Sequence, residues 1–98
     1  MTITKQPEGA NLTIALEGRL DTSTAPQLEA ELTSALEGVQ NLTLDLAQLD
    51  YLSSAGLRVL LGAQKRMNKQ GSMTVKNVCP TIMEVFEITG FTDILHIQ

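Results

Sequence analysis

Alternating hydrophobic and polar residues mark the strands of this chain. Apolar side chains occupy every second position over Asn11–Glu17 and again over Asn41–Leu46. A period of two is typical of a strand with one buried face. Met73–Val78 is predicted as a further strand. An early strand at Thr2–Lys5 is expected to pair with Asn11–Glu17, because the residues at 7–9, Pro-Glu-Gly, are a strong turn signal.

Apolar residues at helical spacing separate these strands. Thr22–Thr24 supplies capping side chains for a first helix, Pro26 suits its first turn, and Gly38 is a plausible C-cap. A second helix is predicted from about Ser54 to Lys69 and is ended by Gly71. Its predicted inner stripe consists of Leu57, Leu60, Leu61 and Met67.

A third helix is predicted to open at Cys79-Pro80 and to end at Gly90, with Phe91 folding back on its last turn. Ile94-Leu95 is expected to add a short final strand. Strands that alternate with helices favour a sheet with parallel pairs. The expected fold is therefore α/β: a small mixed sheet, mostly parallel, with an antiparallel N-terminal hairpin at its edge and helices packed on it.

Size and composition narrow the function classes. Ninety-eight residues, 43% of them hydrophobic, predict one small domain over 1–98. With seven Lys and Arg and a net charge of −4, nucleic-acid binding is poorly supported. One cysteine and one histidine predict neither a disulfide nor a metal site, and no cofactor is expected. No apolar run approaches the length of a membrane helix and no signal peptide is apparent, so a cytoplasmic protein without membrane insertion is expected.

The most informative segment is the junction over Leu49–Leu61, where a strand ends and an amphipathic helix opens. Two serines stand at the start of that helix, followed by Ala55 and Gly56. On one interpretation Ser53 or Ser54 is simply the N-cap, and the small residues let the helix lie close to the sheet. On the other, a hydroxyl beside free backbone N–H groups at the positive end of a helix carries an anionic group such as phosphate.

Several segments together resemble a STAS domain, and more closely the bacterial anti-sigma factor antagonists. The similarity covers nearly the whole chain with its elements in order. The segments that carry it are Gly18–Asp21, Leu44–Leu46, Tyr51–Leu57, Pro80 and Glu87–Phe91.

The resemblance implies a phosphorylation switch and no enzymatic activity. In that family the unphosphorylated protein binds an anti-sigma factor that is also a serine kinase, and binding frees a sigma factor. The kinase then phosphorylates a serine at the start of the second helix, which breaks the complex, and a phosphoserine phosphatase resets it. By motif match the acceptor is Ser54. Ser53 stands where many members carry Asp, so a neighbouring hydroxyl is also open to modification.

The expected contact surface surrounds the acceptor. Asp21 should lie on the same edge of the sheet as Ser54, where its carboxylate repels a phosphate or orients the hydroxyl; its alternative role is that of a turn or cap residue. The residues expected to contact the partner are Asp21, Thr22, Ser53, Ser54, Gly56 and Arg58.

Two other functions stay open at this point. STAS-like domains also act as structural or regulatory subunits of transport complexes, without phosphorylation. A small enzyme that uses Ser54 as a nucleophile would need a base, and the only histidine is His96, at the far end of the chain.

Overall fold

The computed structural model describes residues 1–98 as a single sheet of four strands with three helices. In chain order the elements are β1 (Thr2–Glu8), β2 (Asn11–Leu20), α1 (Ala25–Ala35), β3 (Asn41–Leu52), α2 (Ser54–Gln70), β4 (Ser72–Lys76) and α3 (Pro80–Thr89), followed by a 3₁₀ turn (Phe91–Asp93). The spatial order is β1-β2-β3-β4. β1 is antiparallel to β2, and the other two pairs are parallel. The predicted mixed sheet with an antiparallel edge hairpin is confirmed.

The core lies between the helices and one face of the sheet. Ile14, Leu44 and Val75, from three neighbouring strands, are fully buried and join one cluster of 24 buried hydrophobic side chains. Their chain neighbours Ala15 and Asp45 point to the opposite face and are only half-buried. Burial of each large aliphatic side chain contributes about 1.5–3 kcal/mol, so the aliphatic leucine stripes are the main stabilising feature. No helix combines the length and apolar character needed to cross a membrane.

The two central strands are longer than the alternating pattern predicted. After Leu46 the buried leucines come at every third position, Leu49 and Leu52, which breaks the period of two. The register explains this spacing, because β3 inserts one extra residue opposite Ala15–Glu17 and a second opposite Gly18–Arg19. Each bulge turns the following leucine back towards the core. The strands therefore continue to Leu20 and Leu52, where the simple alternation had suggested earlier ends.

The first hairpin and the end of α1 differ slightly from expectation. Pro7 and Glu8 belong to β1, and the turn consists of Gly9 and Ala10, with Glu8 paired to Asn11. A proline is tolerated there because β1 is an edge strand. The C-cap of α1 is Leu36, so Gly38 lies in the following turn and does not cap the helix.

The last helix ends as predicted, but the chain after it does not form a strand at 94–95. Gly90 is the C-cap in the left-handed conformation, with φ of 80°. Phe91 folds back on Phe86 with ring centroids 6.4 Å apart. The segment then forms the 3₁₀ turn, and a single bridge between Ile97 and Val75 extends the sheet.

The beginning of α2 lies directly on the carboxyl ends of the two central strands. Gly56 is buried, and a Cβ atom built on it would lie 2.7 Å from Leu20 Cγ and 2.7 Å from Leu52 Cδ1. Real carbon contacts are not that short, so only glycine allows the helix to pack at this distance. The short distance between α2 and the sheet thus explains why a glycine stands at position 56.

We expect Gly56→Ala to destabilise the fold by about 1–3 kcal/mol, because the added methyl group overpacks a closed contact. Gly62→Ala is the matched control on the same helix, since a Cβ at Gly62 meets nothing within 4 Å. That variant should gain up to about 1 kcal/mol from higher helix propensity. Urea unfolding of both variants measures the difference, and equal effects at the two sites would contradict the packing argument.

Candidate functional site

Ser53 is the structural hydroxyl of the junction. It is the N-cap of α2 with an extended backbone, and its Oγ accepts a hydrogen bond from the Gly56 N–H at 3.4 Å. Its own N–H donates to the carbonyl of Leu20 at 2.9 Å, which ties the start of α2 to the end of β2. The side chain is half-buried. Ser53 therefore fulfils the capping role that the pattern left open between the two serines.

Ser54 differs from its neighbour in every one of these respects. It is the first residue of α2, it is exposed, and its hydroxyl makes no hydrogen bond within the chain. The first N–H groups of a helix lack intrahelical partners and carry a positive partial charge. An exposed, unengaged hydroxyl at this position is chemically suited to accept a phosphoryl group.

Asp21 lies on the same edge as the serines, as predicted. It follows Leu20, the residue hydrogen-bonded to Ser53. Its carboxylate accepts hydrogen bonds from the Ser23 hydroxyl at 2.8 Å, the Ser23 N–H at 3.0 Å and the Thr24 N–H at 3.1 Å. In return, the Thr24 hydroxyl accepts from the N–H of Asp21 at 2.8 Å. These bonds assign the side chain to the turn before α1, and none reaches Ser54.

The same contacts explain the acidity of this group. The hydrogen bond from the Ser23 hydroxyl is the largest cause that lowers the pKa of Asp21 to about 2, and the amide groups of Thr24 and Ser23 lower it further against an opposing effect of desolvation. Asp21 thus stays ionised across the physiological range and adds a fixed negative charge near Ser54.

The other predicted contact residues separate into two groups. Thr22 and Arg58 are exposed and line one shallow depression, which Pro26 and the half-buried Ala55 also line. Gly56 is buried on the side of α2 that faces the sheet, so the expectation that it contacts the partner is wrong. Its missing side chain serves the packing on the sheet.

One pair of exposed side chains was not predicted. Arg19 and Tyr51 are register partners on β2 and β3, and the guanidinium carbon lies 4.1 Å from the centroid of the tyrosine ring. Arg19 Nε also lies 3.6 Å from a carboxylate oxygen of Asp21. Arginine and tyrosine are frequent in interface cores. The sequence does show a Tyr next to the two serines, which could have suggested an exposed aromatic contact. Its pairing with Arg19 could not be predicted, because it depends on the register of two strands that contain bulges.

The enzyme alternative loses support from the position of the histidine. His96 borders a depression with Asn68 and Gly71, at the carboxyl end of α2. Ser54 is the first residue of that helix. At 1.5 Å per residue the two ends are separated by about 20 Å, too far for an imidazole to accept the serine proton. Cys79 is a half-buried free thiol at the N-cap of α3.

We expect Asp21→Asn to weaken the acid dependence of stability. The folded-state pKa of Asp21 lies below the ordinary value of 3.8. Ionised Asp21 therefore stabilises the fold above about pH 4, and this contribution is lost as the pH falls from about 4 towards 2. The difference in unfolding free energy between wild type and variant should be constant near neutrality and shrink over that acid range. Asp50→Asn, at an exposed carboxylate, is the control; an identical profile there would contradict the assignment to the Ser23 and Thr24 bonds.

The chain is similar in sequence to proteins named as anti-sigma factor antagonists. BtrV of Bordetella bronchiseptica, whose name assigns it provisionally to the anti-sigma factor antagonists, is 39% identical over 99% of this chain and 85% of its own length. The anti-sigma-B factor antagonist of Bacillus subtilis is 33% identical over 96% of this chain and 86% of its own length.

Solved structures share the fold at lower identity. An anti-sigma factor antagonist from Mycobacterium paratuberculosis superposes with a TM-score of 0.89 at 22% identity, covering 98% of this chain and 83% of that one. Bacillus SpoIIAA in its phosphorylated form gives 0.77 at 21% identity, covering 99% and 91%. A sulfate transporter family protein from Wolinella succinogenes gives 0.75 at 16% identity, covering 86% and 70%. A family model described as "Mlab, STAS domain" matches residues 3–96, and the chain therefore belongs to the STAS domain family.

Proposed function

We propose that this protein is an anti-sigma factor antagonist switched by phosphorylation of Ser54. In its unphosphorylated form it binds an anti-sigma factor with serine kinase activity and thereby releases a sigma factor. The observation that carries the proposal is the contrast at the junction: Ser53 is engaged as the N-cap, while Ser54 is exposed and unengaged. The names of the sequence relatives support the same function.

The chemistry at Ser54 is a transfer in which the protein is the substrate. The bond between Ser54 Oγ and the γ-phosphorus of ATP forms as the bond to the leaving ADP breaks, and the hydroxyl proton is lost. A phosphoserine phosphatase reverses the modification with water and releases inorganic phosphate. In both steps the chain is the substrate, and its only histidine, His96, lies at the opposite end of α2 from the hydroxyl. SpoIIAA, solved in a phosphorylated form, supports the view that this fold accommodates the group.

Electrostatics explains why the modification breaks a complex but spares the fold. A phosphoserine adds about −1.5 to −2 charge, which is large against a net charge of −4. At the start of α2 the helix dipole favours this charge. A partner surface that faces Ser54 and the ionised Asp21 must instead accept two negative groups side by side. Like-charge juxtaposition in an interface costs several kcal/mol.

The proposed contact surface comprises the exposed and half-buried residues around the acceptor. From the predicted set these are Asp21, Thr22, Ser53, Ser54 and Arg58. Arg19 and Tyr51 extend it along the ends of β2 and β3, and the guanidinium of Arg19 already lies over the ring of Tyr51. A preorganised pair loses little conformational freedom on binding.

A role as a subunit of a transport complex, without phosphorylation, is the second candidate. The shared fold of a sulfate transporter family protein is the observation in its favour. That likeness is 16% identical, whereas the relatives above 30% are antagonists. Capture of a membrane permease from native cells, in place of an ATP-binding kinase, would select the transport role.

We expect Ser54→Asp to weaken kinase binding by at least about tenfold while the melting temperature stays the same or rises, because an acidic residue in the first helical turn stabilises by about 0.3–1 kcal/mol. Ser54→Ala should bind and resist phosphorylation. Calorimetric titration with the cognate kinase, and mass spectrometry after incubation with ATP, measure both effects.

Two matched variants control this experiment. Ser34→Asp adds the same charge at an exposed serine on α1 and should bind normally. Ser53→Ala removes the neighbouring hydroxyl and should still be phosphorylated at Ser54. Modification confined to Ser53, or normal binding by Ser54→Asp, would refute the proposed acceptor.

A further inference from the structure

The basic side chains near the junction differ in whether they already have a partner. Arg19 lies against Tyr51 and Asp21. Arg66 donates to the carbonyl of Thr33 at 3.2 Å and thereby ties α2 to α1. Arg58 is exposed and makes neither a hydrogen bond nor an ion pair. It is therefore the cation of this region that is free to take an anionic partner.

Helix geometry directs Arg58 towards Ser54. The two residues are spaced i and i+4 on α2, so their Cβ atoms lie about 5–6 Å apart on one face. Long helical side chains lean towards the N-terminus of their helix. In this structure Arg58 borders the same depression as Ala55 and Thr22, which lie at the beginning of α2 and just before α1. Its side chain thus flanks the acceptor position.

The acidic groups around Arg58 leave it available. Glu29 borders the depression from α1 but lies beyond ion-pair distance. The carboxylate of Asp21 is occupied by Ser23 and Thr24 and is closest to Arg19. A phosphate on Ser54 would carry more charge than either carboxylate. Guanidinium groups bind phosphate oxygens with paired N–H donors, which a lysine does not offer.

We propose that Arg58 positions the phosphate once Ser54 is modified, by forming an internal ion pair one helical turn away. The inference rests on the proposed phosphorylation of Ser54. The pair has a consequence for the switch, because Arg58 also belongs to the proposed contact surface. Phosphorylation then withdraws a positive charge from the partner in addition to presenting a negative one.

The test measures the second ionisation of the phosphate directly. Protein with phosphoserine installed at position 54 during synthesis, without any kinase, is titrated by ³¹P NMR. A nearby guanidinium favours the dianion, so Arg58→Gln should raise the phosphate pKa by about 0.2–0.4 unit relative to wild type. Arg58→Lys keeps the charge but not the paired N–H donors, so its phosphate pKa should lie between those of wild type and Arg58→Gln. Lys65→Gln removes the same charge from an exposed site on the same helix, about three turns away, and should shift the pKa far less.

Either of two results overturns the proposal. One is an unchanged pKa in Arg58→Gln; the other is an equal rise in Lys65→Gln, which would mean that only the general field of the helix is involved. Salt separates these cases further, because charges in close contact are screened less than charges many ångströms apart. The pKa difference between wild type and Arg58→Gln should therefore persist at ionic strengths that abolish any effect of Lys65→Gln. Because the phosphate is installed without the kinase, failure of a kinase to modify Ser54 would count against the proposed function and leave this measurement independent.

Discussion

The contact of Gly56 with Leu20 and Leu52 determines where the second helix leaves the sheet. With no room for a Cβ atom, the helix backbone lies on two leucines from neighbouring strand ends. The hydrogen bond from the Ser53 N–H to the Leu20 carbonyl fixes the same point from the backbone side. The same contact therefore fixes both the packing of the core and the position of the candidate acceptor. A change in this contact would move the hydroxyl even if every exposed residue were kept.

This constraint explains how two adjacent serines acquire different roles. Successive residues in a helix are rotated by about 100° around its axis. The N-cap serine faces the backbone amide of Gly56, and the next serine is turned out to solvent. An acidic residue at the N-cap position would accept the same hydrogen bond. Serine in place of the aspartate that the resemblance leads one to expect at position 53 therefore keeps the capping contact and removes one negative charge beside the proposed acceptor.

The order of elements, the bounds of α2 and the left-handed cap at Gly90 followed from the sequence because each depends on local pattern. The ends of β2 and β3 did not, since the leucines after Leu46 face the core only when two bulges are present. The sequence alone does not distinguish the two roles of Gly56, because a small residue in a motif fits contact with a partner and close packing on the sheet equally well. The Arg19–Tyr51 stack requires the cross-strand register, which no single-strand pattern contains.

The bulges of β3 have a consequence for how this family can tolerate insertions and deletions. β3 carries one more residue than β2 at two places between Asp45 and Tyr51. The two strands therefore end side by side only when both extra residues are present. Loss of a single residue there would place a polar side chain such as Asp50 in the core, or it would shift the two serines by one residue relative to the end of β2. The two-residue turn at Gly9-Ala10 carries no such requirement, because β1 is an exposed edge strand with little buried surface. Length variation among related chains should therefore concentrate at the hairpin and avoid the end of β3 that leads to the proposed acceptor.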